Sequence, residues 1–211
     1  MSSKQNTRLV TILLCCVLPL TVWSQQRCWQ RGDSFRAFVY CNGKKVKASY
    51  RVRTRRTEVF LGYESYSRTA IDTTLAGSLE VPEKVTAPDG QVFLVTGVSR
   101  HALADCRRLT EVVLPDSIHD IGDQSFMNCT ALRSVVLPCG TKNIWPYAFR
   151  GCRRLQRIEV RAIMPPDSYN DVFDEHTLRF ATLVVPAASA NAYRNAFVWN
   201  MFRYSIPDFA R

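Results

Sequence analysis

Leu109-Thr-Glu-Val-Val-Leu-Pro115 returns as Leu132-Arg-Ser-Val-Val-Leu-Pro138, and the residues that follow each copy repeat as well. Leu109 matches Leu132, Ile121 matches Ile144, Phe126 matches Phe149 and Cys129 matches Cys152, each 23 residues on, so Leu109–Arg154 is one unit written twice. A fixed period of roughly 20–29 residues with Leu and Val at alternate positions is what a leucine-rich coil looks like in sequence. Each coil can bury its apolar face only against the next.

The pattern runs outward in both directions. Gly77-Ser-Leu-Glu-Val-Pro82 is the first strand, Leu155, Ile158 and Val160 mark a third regular coil, and Thr182-Leu-Val-Val-Pro186 is the last strand. The strand-end residues are thus Val81, Leu114, Leu137, Val160 and Val185. The first coil is longer, and Pro88-Asp-Gly90 between Val85 and Val92-Phe-Leu-Val95 predicts a hairpin projecting from it. Beyond Pro186, Ala190, Tyr193, Ala196, Phe197 and Phe202 fall near a 3.6-residue period, with Ser189 placed to cap a helix over the open end of the array.

Upstream, Phe35–Cys41 and the run after it flank Asn42-Gly43, a strong hairpin signal. In the second run Val46, Ala48, Tyr50, Val52 and Thr54 alternate with Lys45, Lys47, Ser49, Arg51, Arg53 and Arg55. Period two puts the charge on one face. That face is either the solvated outer side of a strand or a stripe of cations about 6.8 Å apart that tracks a polyanion.

At the N-terminus, Lys4 and Arg8 precede the apolar run Leu9–Trp23, too short to span a bilayer as a stable helix and suited to an export leader cleaved after Ser24. The expected organisation is therefore a leader at 1–24, a β-rich cap at 25–76, a solenoid at 77–186 with the inserted hairpin at 85–95, and a helical cap at 187–211. The fold class is α+β, mainly β. Without the leader, the excess of 28 Lys+Arg over 18 Asp+Glu falls from +10 to +8, which favours acidic partners. Export makes nucleic acid the poorest of them, and no later run is long and apolar enough to span a membrane.

Cys106, Cys129 and Cys152 share one repeat position, so they stack inward as small apolar side chains and do not converge on a metal. Cys28 and Cys41 flank the first predicted strand and are the one pair proposed as a disulfide. His101, His119 and His176 sit in no catalytic spacing, and the chain has no phosphate loop or nucleophile elbow, so neither an enzyme nor a cofactor is expected. Arg31-Gly-Asp33 is the tripeptide that integrins recognise, and Asn128-Cys-Thr130 matches a glycosylation acceptor where the coil turns.

Together, Leu-Thr-Glu-Val-Val-Leu-Pro115, Ile118-His-Asp-Ile-Gly122, Ser125-Phe-Met-Asn-Cys129 and the ending Leu183-Val-Val-Pro-Ala187 resemble the BspA-like leucine-rich repeats of bacterial surface and secreted proteins. Leu103 in place of Phe, Thr141 at the position of Ile118 and Trp145 at that of Gly122 depart from the pattern. The resemblance implies a non-enzymatic binding or adhesion protein, secreted, periplasmic or on the cell surface. Outward residues of the strands, Glu111 and Val113, Ser134 and Val136, Arg157 and Glu159, Thr182 and Val184, are expected to meet a protein or glycan partner. The alternative site is the cationic strand: Lys45, Lys47, Arg51, Arg53 and Arg55, on lipopolysaccharide or a sulfated glycan.

Overall fold

A computed structural model describes residues 28–53, 57–169 and 171–208; the predicted leader and Arg55 lie outside the described residues. The strands are β1 (Ser34–Cys41), β2 (Lys44–Val52), β3 (Glu58–Leu61), β4 (Ala76–Glu80), β5 (Lys84–Thr86), β6 (Val92–Val98), β7 (Arg108–Val113) and β8 (Asp120–Ile121). They continue with β9 (Ser134–Leu137), β10 (Asn143–Ile144), β11 (Arg157–Val160), β12 (Asp167–Ser168), β13 (Thr182–Pro186) and β14 (Tyr204–Asp208). Two short helices are α1 (Glu175–Phe180) and α2 (Ala190–Asn195).

The regular coils contribute a main strand and a shorter second one, and in the first coil the second strand, β6, is the longer. The main strands β4, β7, β9, β11, β13 and β14 form one parallel ladder, and β6, β8, β10 and β12 form another. The antiparallel strands β1, β2 and β3 join the two ladders at the N-terminal end: β1 pairs with β4 and β3 with β6. One continuous sheet therefore wraps from one wall of the solenoid to the other. Asn42 and Gly43 both have positive φ in the β1–β2 turn, as a two-residue hairpin requires.

The registers place like on like. Leu79, Val112, Val135, Ile158 and Leu183 form one fully buried row across the main ladder, and Val98, Ile121 and Ile144 form a row in the second. Between the walls the rings of Phe126, Phe149 and Phe173 stack at 5.0 and 5.4 Å, nearly parallel, and Phe202 and Trp199 meet the end of that column edge-on. At the other end Trp29, Phe35 and Phe93 close the core, with the Trp29 indole donating to Asp89 Oδ2 at 2.6 Å.

Coil geometry also rests on residues that are not apolar. Asp105, Asn128 and Gly151 hold the same repeat position in left-handed backbone, and so do His101, Gln124 and Tyr147. Short polar residues and glycine tolerate that conformation best, which explains the first set and leaves the second strained. Asn128 Nδ2 donates to Asp105 Oδ1 at 3.2 Å, so the amide of the Asn-Cys-Thr triplet serves the coil below it. The stacked cysteines do the same: Cys129 Sγ donates to the Leu103 carbonyl and Cys152 Sγ to that of Phe126.

Several expectations need correction. The first-coil hairpin forms, β5 antiparallel to β6, but it is built into the sheet: β6 also pairs with β3 and β8 and buries Phe93 and Val95. The C-terminal helix is shorter than its periodicity predicts. It ends at Asn195, Val198 turns left-handed, Phe197 is exposed, and the chain returns as β14 alongside β13. Cys28 and Cys41 are both free thiols, the first exposed and the second buried with Sγ donating to the Ala76 carbonyl.

Candidate binding surface

The outward residues of the main ladder line up in two rows. Glu80, Val113, Val136, Glu159 and Val184 form the first; Ser78, Glu111, Ser134, Arg157, Thr182 and Tyr204 form the second. Neighbours within a row are about 4.8 Å apart, the strand spacing. Val113 is 41% exposed and Val136 half-buried, and both present apolar surface. Val184 does not: only 3% of it is accessible. β14 adds beside β13, so the ladder extends one strand beyond Val184. Glu159 is half-buried between Arg157 at 3.3 Å and Arg161 at 3.0 Å, so its charge is neutralised within the face.

The main-ladder residues and the Lys45–Lys47 end of the cationic strand share one face. Tyr40 of β1 is in register with Glu80 of β4 on one side and Lys45 of β2 on the other, so the main ladder runs without a break into the cationic strand. The next outward pair is Phe38 and Lys47, with Phe38 exposed and the Lys45 ammonium 5.8 Å from its ring centre. Phe38 and Tyr40 on β1 and Val113 and Val136 on β7 and β9 thus form two apolar patches on one face, with the exposed Glu80 of β4 between them, Lys45 and Lys47 at one end and Glu111 along the side.

The cationic strand is not the uninterrupted stripe its alternation predicts. Ser49 at its centre is buried, its main chain bonded to Ala70 and Gly62 and its hydroxyl to that of Tyr63 at 2.8 Å. The segment after β3 therefore crosses the strand there. Lys45 and Lys47 fall to one side, where Arg36, Lys47 and Arg68 border a cleft of about 660 Å³ over Ser49. Arg51 and Arg53 fall to the other. Arg51 is ion-paired with Glu64, and Arg53 lies 4.2 Å over the Phe60 ring. Partial burial, then the charges of Arg53 and Arg31, push the Arg51 guanidinium below its ordinary value.

The Arg31-Gly-Asp33 tripeptide is held against the same strand. Gly32 N–H donates to the Val52 carbonyl, Val52 N–H to that of Asp33, and the Asp33 carboxylate accepts from Gln30 N–H at 3.0 Å. Its carboxylate is engaged inside its own turn.

Sequence reasoning missed a third feature, on the second ladder. Phe60, Arg100, Asp123 and Trp145 line a groove of about 230 Å³ there, with Tyr169 beside Trp145. The signal was present: Trp145 stands where the preceding coil has Gly122, and a departure from the repeat at an outward position marks a local specialisation of the surface.

Residues 83–199 match the BspA type leucine-rich repeat region in six copies, over more than half of the chain. The chain belongs to that family. Among solved structures, this BspA-type protein is similar to a leucine-rich repeat protein from Bacteroides capillosus, with 22% identity over 76% of this chain and 94% of that one and a TM-score of 0.49. It is also similar to one from Bacteroides ovatus, with 19% identity over 74% of this chain, 38% of that one and a TM-score of 0.46. No curated protein matches it. Among the described residues no helix is long and apolar enough to cross a membrane.

Proposed function

We propose that this BspA-type repeat protein is an exported, non-enzymatic binding protein that presents its main ladder, extended by β1, to a protein partner outside the cytoplasm. One observation carries the reading: Phe38, Tyr40, Val113 and Val136 are outward apolar residues on hydrogen-bonded strands that hold them rigid, two on either side of the Glu80 carboxylate. A preorganised face loses little conformational entropy on binding, and its charges disfavour indiscriminate association. The leader at 1–24 supports export. Adhesion to host or envelope surfaces is the use such a face would serve.

The test compares the native chain with a Val113→Lys/Val136→Lys double variant, whose cations fall between Glu80 and Glu159, on an array of purified host extracellular-matrix proteins and bacterial envelope components. Because neither side chain points into the core, the variant keeps its melting temperature. It loses at least tenfold in affinity for whatever the native chain retains, and equal retention by both refutes the assignment.

The cleft over Ser49 favours a second reading. Arg36 and Arg68 join Lys47 around it, so a sulfated glycan or lipopolysaccharide meets cations from two strands and a loop. Heparin affinity that falls steeply with salt, and falls again in a Lys45→Ser/Lys47→Ser variant, supports it; salt-independent affinity refutes it.

A further inference from the structure

We infer that the groove on the second ladder is a carbohydrate site that takes one neutral pyranose ring stacked on Trp145. The indole is 43% exposed and lies alongside the 48% exposed phenol of Tyr169, one coil further on, with ring centres 5.9 Å apart and planes 23° from parallel. Tyr169 stacks against the indole and steadies it, while Trp145 itself lines the groove and stays exposed where a packed core would have covered it. The other described tryptophans, Trp29 and Trp199, are buried.

Gly122 lies in the lining of the groove and packs its backbone against the preceding coil. A Cβ on Gly122 would stand 2.6 Å from the Val98 carbonyl oxygen and 2.7 Å from Arg100 N, so no larger residue fits there without displacing backbone. The next coil can carry a tryptophan at the same repeat position, and its ring becomes the wall beside that glycine. Tyr66 adds a further exposed ring, stacked under Arg100 at 4.6 Å with its hydroxyl donating to Asp123 at 3.2 Å.

The charges on the rim choose the ligand class. Three guanidiniums, Arg51, Arg53 and Arg100, face three carboxylates, Glu64, Asp120 and Asp123. Arg51 is paired with Glu64, Arg100 with Asp123 at 3.3 Å, and Asp120 accepts from Asn143 Nδ2 at 2.8 Å. A balanced rim repels neither sign and attracts neither strongly. Phosphate and sulfate chains meet three carboxylates, and cationic peptides meet three guanidiniums. A neutral sugar satisfies both kinds of group: its hydroxyls donate to carboxylates and accept from guanidiniums, while the polarised C–H bonds of one ring face rest on the electron-rich indole. The volume of about 230 Å³ is below the range of roughly 300–1,000 Å³ usual for drug-sized ligands and suits a single sugar ring.

This site lies away from the face of Phe38 and Val113, so its failure leaves the protein-binding reading untouched. The probes are neutral gluco-, manno- and galacto-oligosaccharides, with sulfated and sialylated glycans as controls, titrated into the purified chain while tryptophan fluorescence is followed. At least one neutral series should shift the emission. Affinity should fall at least tenfold in Trp145→Ala and at least threefold in Tyr169→Ala, stay within threefold in Trp145→Tyr, and change less than twofold between 50 and 300 mM salt. If Trp145→Ala melts early, saturation transfer from the sugar ring protons to the Trp145 indole of the native chain decides instead. The proposal is overturned if no neutral series binds, if binding is unchanged in Trp145→Ala, or if only anionic glycans bind and salt removes them.

Discussion

Phe126 and Phe149, 23 residues apart in sequence, lie face to face with ring centres 5.0 Å apart and planes 6° from parallel. Phe173 extends the column by another 5.4 Å, so Phe149 has a ring on both sides. Phe149→Ala leaves a cavity at the centre of the array and should cost about 3–5 kcal/mol in denaturant unfolding. A solvent-exposed ring such as Phe38 should cost far less when truncated, and equal costs would contradict the assigned core.

Thr141 occupies the position that Ile118 holds one coil earlier, and it is just as deeply buried. Its hydroxyl oxygen has no hydrogen-bond partner among the described residues. Thr141→Val keeps the shape and removes an unsatisfied polar group, so it should stabilise the protein by about 1 kcal/mol and raise the melting temperature by roughly 2–4 °C. A fall in melting temperature would show that the hydroxyl is bonded.

Gly151 combines a φ of +80° with tight surroundings: an added Cβ would stand 2.4 Å from Asn128 Oδ1. Gly151→Ala should destabilise by roughly 1–3 kcal/mol. Removing the amide with Asn128→Gly should restore part of that loss, and a double-mutant cycle measures the coupling. Strict additivity would mean that backbone strain alone sets the cost.

The stacked thiols predict a loss of stability in alkali. Burial, then the neighbouring Cys129, raises the Cys106 pKa, and the hydrogen bond with Cys152, then burial, raises that of Cys129. A thiol held protonated in the fold contributes its full stabilisation below the unfolded pKa of about 8.5, and the contribution is lost as pH rises above it, because only the unfolded chain ionises. Stability should therefore fall by up to about 1.4 kcal/mol per pH unit for each of the two thiols between about pH 8.5 and 9.5. Cys106→Ala/Cys129→Ala should flatten that slope. Thiol reagents should label exposed Cys28 and Cys139 in the native protein and the other described cysteines only after unfolding.

What the sequence determined by itself was everything that repeats locally. The 23-residue period, the inward rows through Val112, Val135 and Ile158 and the stacked cysteines follow from alternation along a strand and from the need of each coil to cover the last. Even Trp145 was visible as a departure from Gly122. Tertiary structure decided the surface. Val184 is covered although it lies in the same outward row as Val113 and Val136, Ser49 is buried because the segment after β3 crosses the cationic strand, and Trp145 meets Tyr169 only across a coil boundary. Those contacts join segments with no common period. Periodicity can say which side of a strand faces outward, but what lies over that side depends on how the irregular ends and loops close upon the coils.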